Sequence, residues 1–210
     1  MSYYQANKVA DAELLVTPSF PEGVFKYYTS FITHADNDDI NSLEDLEGTN
    51  FAFVNAASSS GYLYPKGTLV QELGLESDRV EQSGYFFENV TFSESHPNSV
   101  IGVSMGDFEA AAAARSVIDS LIEAGQIKED DIKEIGRSID IPDPSYIVRG
   151  GLPDDFVDEL REAFLSFDNE EYFEAIHGDA SVRFVGTPEG FYDDSIEMLG
   201  SINALEEDEQ

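Results

Sequence analysis

Short runs of β-branched and aromatic residues alternate along this chain with stretches whose apolar positions recur every three or four residues. The first kind builds strands and the second builds amphipathic helices. Strands are expected at 12–16, 24–33, 50–54, 85–92, 108–114, 132–139 and Tyr146–Val148. Segment 24–33 (VFKYYTSFIT) reads as one long strand, and 50–54 (NFAFV) as a strand buried on both faces. Helices are expected as a turn at 41–46 capped by Ser42 and stopped by Gly48, then at 58–73 closed by Gly74, and at His96–Met105 ended by Gly106. A further helix capped by Ser116 runs to Gly125. Pro153 starts another, with Phe156, Val157, Leu160, Phe164 and Phe167 as its buried stripe. Shorter helices follow at 170–176 and 190–205. Strands alternating with helices predict an α/β fold with mixed, largely parallel sheets.

Charge changes the picture most. The 210 residues hold 43 acids and 11 bases, for a formal net charge of −32. Lysine occurs only at Lys8, Lys26, Lys66, Lys128 and Lys133. The acids are spread along the chain, and only Glu206-Glu207-Asp208-Glu209 forms an acidic tail. Such a surface repels itself in dilute salt. In molar salt the screening length falls to about 3 Å. The composition therefore points to a protein of a salt-rich environment, and it excludes nucleic acid as a partner because no basic stripe exists to meet phosphates. Hydrophobic residues make up 41% of the chain, enough for a packed core. No apolar run approaches the roughly 20 residues of a membrane span. The opening Met1-Ser2-Tyr3-Tyr4-Gln5 lacks the basic-then-apolar order of an export signal. Zero cysteines exclude disulfides and thiol chemistry, and three histidines make a His-rich metal site a poor fit, so neither cofactor nor metal is expected.

The candidate chemistry lies mostly at strand ends. Ser58, Ser59, Ser60 and Gly61 open a helix, where free N–H groups, a partial positive charge and hydroxyls suit an anion; an ordinary capping loop has the same composition. Pro65 sits deep enough in that helix to kink it. Tyr28 can donate its hydroxyl from a strand, or serve as core. His96 starts a helix; beside a phosphate its ring would be drawn to the charged form, and alone it reads as a cap or surface residue. Arg115, after Ala110-Ala111-Ala112-Ala113-Ala114, can clamp a dianion or pair with one of the many acids. Asp143 can accept from a protonated phosphorus oxygen or simply form the turn at Pro142 and Pro144. A serine of the loop with His96 and Asp143 lacks a G-x-S-x-G elbow, and no phosphate-binding glycine loop is present, so an enzyme is not expected.

In order and spacing, several segments resemble the phosphonate, phosphite and phosphate-binding proteins of ABC importers. They are Tyr28-Thr29-Ser30, Leu43-Glu44-Asp45-Leu46-Glu47-Gly48, Ser58-Ser59-Ser60-Gly61 with Pro65, Ile141-Pro142-Asp143, Val148-Arg149, Asp168 and Val182-Arg183-Phe184. Ser93-Glu94-Ser95-His96 matches a segment in which the family has glycine at the second place. The resemblance implies a two-lobed type II periplasmic-binding-protein fold with an incomplete first lobe. Residues 1–30 and 144–210 would be the remnant of lobe one and 31–143 lobe two, with the ligand cleft between them. It implies Tyr28, Ser58, Ser59, Ser60, Gly61, His96, Arg115 and Asp143 as ligand contacts, a small phosphorus oxyanion as ligand, and an ABC permease as partner. The protein would be peripheral to the membrane, at the cell surface or in the periplasm. The alternatives are a sensory or interaction module that keeps the fold, or a truncated remnant of it. The family's N-terminal segment, about half a domain, has no match here. Ser116 stands where the family's amine binders place an acid, which with Arg115 predicts a preference for ligands lacking an amine.

Overall fold

The computed structural model describes residues 2–202. In chain order the elements are α1 (Ser2–Ala10), β1 (Glu13–Phe20), β2 (Gly23–Val24), β3 (Lys26–Tyr27), β4 (Thr29–His34), β5 (Asn50–Phe53), α2 (Tyr64–Leu73), β6 (Asn89–Phe92), α3 (His96–Met105), β7 (Ala110–Ala114), α4 (Arg115–Glu123), β8 (Ile132–Arg137), β9 (Ile141–Pro142), β10 (Tyr146–Val148), α5 (Asp154–Leu165), α6 (Glu170–His177), β11 (Arg183–Gly186) and α7 (Asp193–Ser201). Tight turns at Glu44–Leu46 and Glu129–Asp131 and a π-helical stretch at Ser59–Leu63 complete the order. The end of the helix expected to reach Leu205 and the acidic tail at 206–209 lie outside the described residues. No helix among those described is long and apolar enough to cross a membrane.

The chain falls into two compact units. Among the described residues, one unit takes 2–26 and 142–196, the other 27–141 and 197–202. In the larger unit five strands run in the order β6-β5-β7-β4-β8. β5 is parallel to β6 and β7, whereas β4 is antiparallel to β7 and β8. The expected α/β class with mixed sheets is therefore present, and parallel pairing is confined to one side of this sheet. One face buries Ile32, Ala52, Ala111 and Ala113 against Val100 and Val103 of α3 and Ile118 and Leu121 of α4. Around Phe51 and Phe53 lies an aromatic cluster: Phe87 stacks on Phe51 at 4.4 Å, and Tyr62 meets Phe53 edge-on at 5.3 Å. Each such buried ring contributes about 1.5–3 kcal/mol. Alanine is a poor strand former, yet β7 is all alanine and buried throughout. Pairing on both sides holds it in place, and its small side chains let α3 and α4 approach.

In the smaller unit the sheet β10-β1-β11 is antiparallel, with β2 returning along β1. A register shift between Leu14 and Val16 turns both Leu15 and Val16 inward. They pack with Val157 of α5, Phe173 of α6, Val182 and Phe184.

Six expectations change. The long strand 24–33 is broken at Phe25 and Tyr28, because the chain passes from one unit to the other at 26/27. The strand expected at 85–92 shortens to β6, and Phe87 fills the core from a loop instead. At the Glu44–Leu46 turn it is Asp45 that accepts from the N–H groups of Asn41 and Ser42, so Ser42 is not the cap. Ser116 falls inside the first turn of α4, which starts at Arg115 without a side-chain cap. On α5 the buried stripe runs through Val157, Leu160 and Phe164, leaving Phe156 46% exposed one position off it. Pro65 stands at the second residue of α2, in its first turn and not deep within a helix, and follows the π-helical stretch at Ser59–Leu63.

Candidate functional site

The parallel strands β5, β6 and β7 end on the same edge of the five-stranded sheet, and antiparallel β4 starts there, Thr29 facing Ala114. Ligands of open α/β sheets bind outside such carboxyl ends. Three helical segments begin on that edge, at Ser59, His96 and Arg115.

After β5, Ser58 caps the first segment, its Oγ accepting from Gly61 N–H at 3.0 Å. Gly61 is buried, and its carbonyl accepts from Val54 N–H at 2.9 Å. A Cβ on Gly61 would land on the Val54 side chain. The glycine therefore lets the loop approach its own scaffold closely. The Ser60 carbonyl accepts from the Thr29 hydroxyl at 2.7 Å, tying the loop to β4.

After β6, Glu94 adopts a left-handed backbone (φ 69°), and Ser95 caps α3 through Asn98 N–H. His96 follows. Its Nδ1 accepts from the Ala114 N–H at 3.1 Å, and its Nε2 lies 3.4 Å from Ser60 Oγ. A backbone N–H can bond only to an unprotonated nitrogen, so the proton sits on Nε2 and the ring is a neutral donor. Burial also pushes its pKa below the usual histidine value. The charged form expected beside a phosphate is thus disfavoured by the fold itself.

After β7, the Arg115 N–H donates to the Tyr28 carbonyl at 3.0 Å. Its guanidinium reaches Asp119 Oδ1 at 2.8 Å and Glu134 Oε2 at 3.7 Å. Bonding to Asp119 raises its pKa further. Glu134 also accepts from the Ser30 hydroxyl. The Tyr28 ring lies beneath the Arg137 guanidinium at 5.3 Å.

Tyr28, Ser58, Ser59, Ser60, Gly61, His96 and Arg115 therefore belong to one unit, and the bonds above link one strand or helix end to the next. Asp143 belongs to the other unit and is not part of this group. Its N–H donates to the Phe25 carbonyl at 3.2 Å, its carbonyl accepts from Tyr192, and burial raises its carboxyl pKa. Thr29, Ser30, Glu134 and Arg137 join the edge beyond the residues expected from sequence. Asp119 had a readable signal, standing four residues after Arg115 on a helix. Glu134 and Arg137 had none, since they join the edge only through the β4–β8 pairing. No group of acids and histidines among the described residues suits a metal ion.

Residues 1–185 match the family model described as "ABC transporter, phosphonate, periplasmic substrate-binding protein". The phosphate-import protein PhnD of Mycolicibacterium smegmatis is 29% identical over 155 residues, 73% of this chain and 48% of that protein. The chain thus spans about half the length of the curated relative it matches. A Xanthomonas citri structure bound to ATP superimposes with a TM-score of 0.71 at 20% identity, covering 92% of this chain and 72% of the other. PhnD1 of Prochlorococcus marinus in complex with methylphosphonate gives 0.65 at 19% identity, covering 91% and 71%. At these identities the two structures speak for the fold alone, and the family-model match over most of the sequence carries the assignment: the chain belongs to the phosphonate-type periplasmic substrate-binding proteins of ABC transporters.

Proposed function

We propose that this chain captures a small phosphorus oxyanion (phosphonate, phosphite or phosphate) as the binding component of an ABC importer, without chemistry of its own. The observation that carries the reading is the His96 arrangement. A neutral Nε2–H donor is fixed beside Ser60 Oγ, at the start of the helical run that Ser58 caps. Hydroxyls of Ser58, Ser59, Ser60 and Tyr28, first-turn N–H groups and the His96 N–H supply donors for the accepting oxygens of an oxyanion. The relatives support the ligand class: one is named for phosphate import, and another was solved with methylphosphonate. The partner in this reading is an ABC permease, and the working place is outside the cytoplasmic membrane. The charge of −32 supports a salt-rich working place.

Calorimetric titration with phosphite, phosphate and methylphosphonate in molar potassium chloride tests the reading. Saturable binding of at least one is expected. Absence of heat for all three at millimolar ligand overturns it.

A further inference from the structure

Two arginines stand at the ligand edge of the five-stranded sheet, and their surroundings differ. Arg115 is held by two carboxylates: Nε and Nη2 lie 2.9 and 2.8 Å from Asp119 Oδ1, and Nη1 lies 3.7 Å from Glu134 Oε2. Glu134 is itself fixed by the hydroxyl of Ser30, whose side chain is fully buried. Turning Arg115 toward an anion means breaking the Asp119 contact and leaving Glu134 and Asp119 facing each other's charge. Its positive charge is already matched.

Arg137 has none of these partners. Among the described residues no carboxylate lies within ion-pair distance of it, in a chain with 43 acids. Its guanidinium rests instead over the Tyr28 ring, 5.3 Å from the centroid. The backbone beneath it is fixed. Arg137 pairs with Ser30 across β8 and β4. The next residue, Ser138, is buried, accepts from the Thr29 N–H at 3.0 Å and returns its own N–H to the Thr29 carbonyl at 2.9 Å. A guanidinium over an aromatic face keeps N–H groups free to donate, which suits a dianion.

We propose that Arg137, held over the Tyr28 ring, supplies the positive charge that meets the bound oxyanion, and that Arg115 is a structural cation committed to Asp119 and Glu134. This rests on the oxyanion reading above and names the charge partner within it. Neutral donors alone distinguish poorly between a dianion and a monoanion of the same shape. A guanidinium adds a charge-assisted bond that grows with ligand charge. The expected weak binding of amine-bearing phosphonates then has its source in Arg137, because the charge of Arg115 is already compensated.

The test uses the whole chain in the molar-salt buffer, with methylphosphonate as the dianion and its monomethyl ester as the monoanion. R137Q is expected to weaken methylphosphonate at least tenfold and the ester less than threefold, with an unchanged melting temperature. R115Q is expected to lower the melting temperature and to change either affinity less than threefold. R137K keeps the charge without the guanidinium's several N–H donors and should fall between wild type and R137Q. The inference is overturned if R115Q takes the tenfold loss in the dianion, or if R137Q weakens both ligands equally. If wild type binds neither ligand, phosphite nor phosphate, the functional reading itself falls; a wild type that binds with an unaffected R137Q sinks only the role of Arg137.

Discussion

The two units treat their buried polar atoms differently. In the five-stranded unit the buried hydroxyls around the candidate site have partners: Thr29 reaches the Ser60 carbonyl, Ser30 reaches Glu134, and Ser93 and Ser99 bond each other at 2.6 Å. Among the described residues, Thr17 Oγ1, Thr187 Oγ1 and His177 Nε2 of the smaller unit are buried without a hydrogen-bond partner, whereas Glu81 Oε2, the larger unit's counterpart, is ion-paired with Lys66 Nζ at 2.9 Å. An unmet buried donor or acceptor costs about 1–3 kcal/mol. The larger unit therefore spends its polar groups on fixing strand and helix ends in one geometry, as a preorganised site requires. The smaller one carries polar atoms that its own fold does not use.

The largest expected effect crosses both units. Acids are distributed over the whole sequence, so raising potassium chloride from low to molar concentration should raise the melting temperature of the entire chain steeply. Coincident melts at the two salt concentrations would remove the salt-adapted reading. Next in size is the core. Phe51→Ala, in the larger unit, should cost about 3–5 kcal/mol by denaturant unfolding. Phe167→Ala, in the smaller unit where that ring is 37% exposed, should cost clearly less; equal losses would mean the two cores are comparably closed.

The sharpest test of the comparison is a matched pair. Thr29→Val leaves the Ser60 carbonyl without its donor and should destabilise by about 1–3 kcal/mol. Thr17→Val removes a hydroxyl that bonds nothing and should be neutral or stabilising by up to about 1 kcal/mol. The same sign for both variants would mean the orphaned hydroxyl has a partner in solution.

His96 adds a pH dependence to the larger unit. Its folded pKa lies below the ordinary value of about 6.5, so folding favours the neutral ring. That stability is complete above the unfolded pKa and is lost as pH falls below about 6.5 toward the folded value. His96→Asn, whose side-chain oxygen can still accept from the Ala114 N–H, should flatten the acid limb of a stability profile. His96→Ala should flatten it too, and in addition lower stability at pH 8. An unchanged acid limb in both would assign it to the carboxylates. The smallest effect concerns Glu94. A non-glycine residue at φ 69° costs about 1 kcal/mol, so Glu94→Gly should raise stability by several tenths of that, read by thermal melting. A loss on this substitution would show that the Glu94 side chain is worth more than the strain it carries.

The sequence by itself determined the α/β class, the family, the helix His96–Met105 with its glycine stop, the short strand Tyr146–Val148, and seven of the residues grouped at the sheet edge, because each of these rests on local periodicity, capping chemistry or an ordered set of motifs. What it could not determine depends on pairings between distant segments. The tautomer of His96 is set by an N–H 18 residues away, and the fate of Arg115 partly by Glu134, whose carboxylate is pinned by a serine 104 residues earlier. Arg137 reaches Tyr28 only because β8 pairs with β4. Local sequence specifies which donors are present at a strand end; only the sheet's strand order decides which of them are already bonded to a neighbour and which remain free for a ligand.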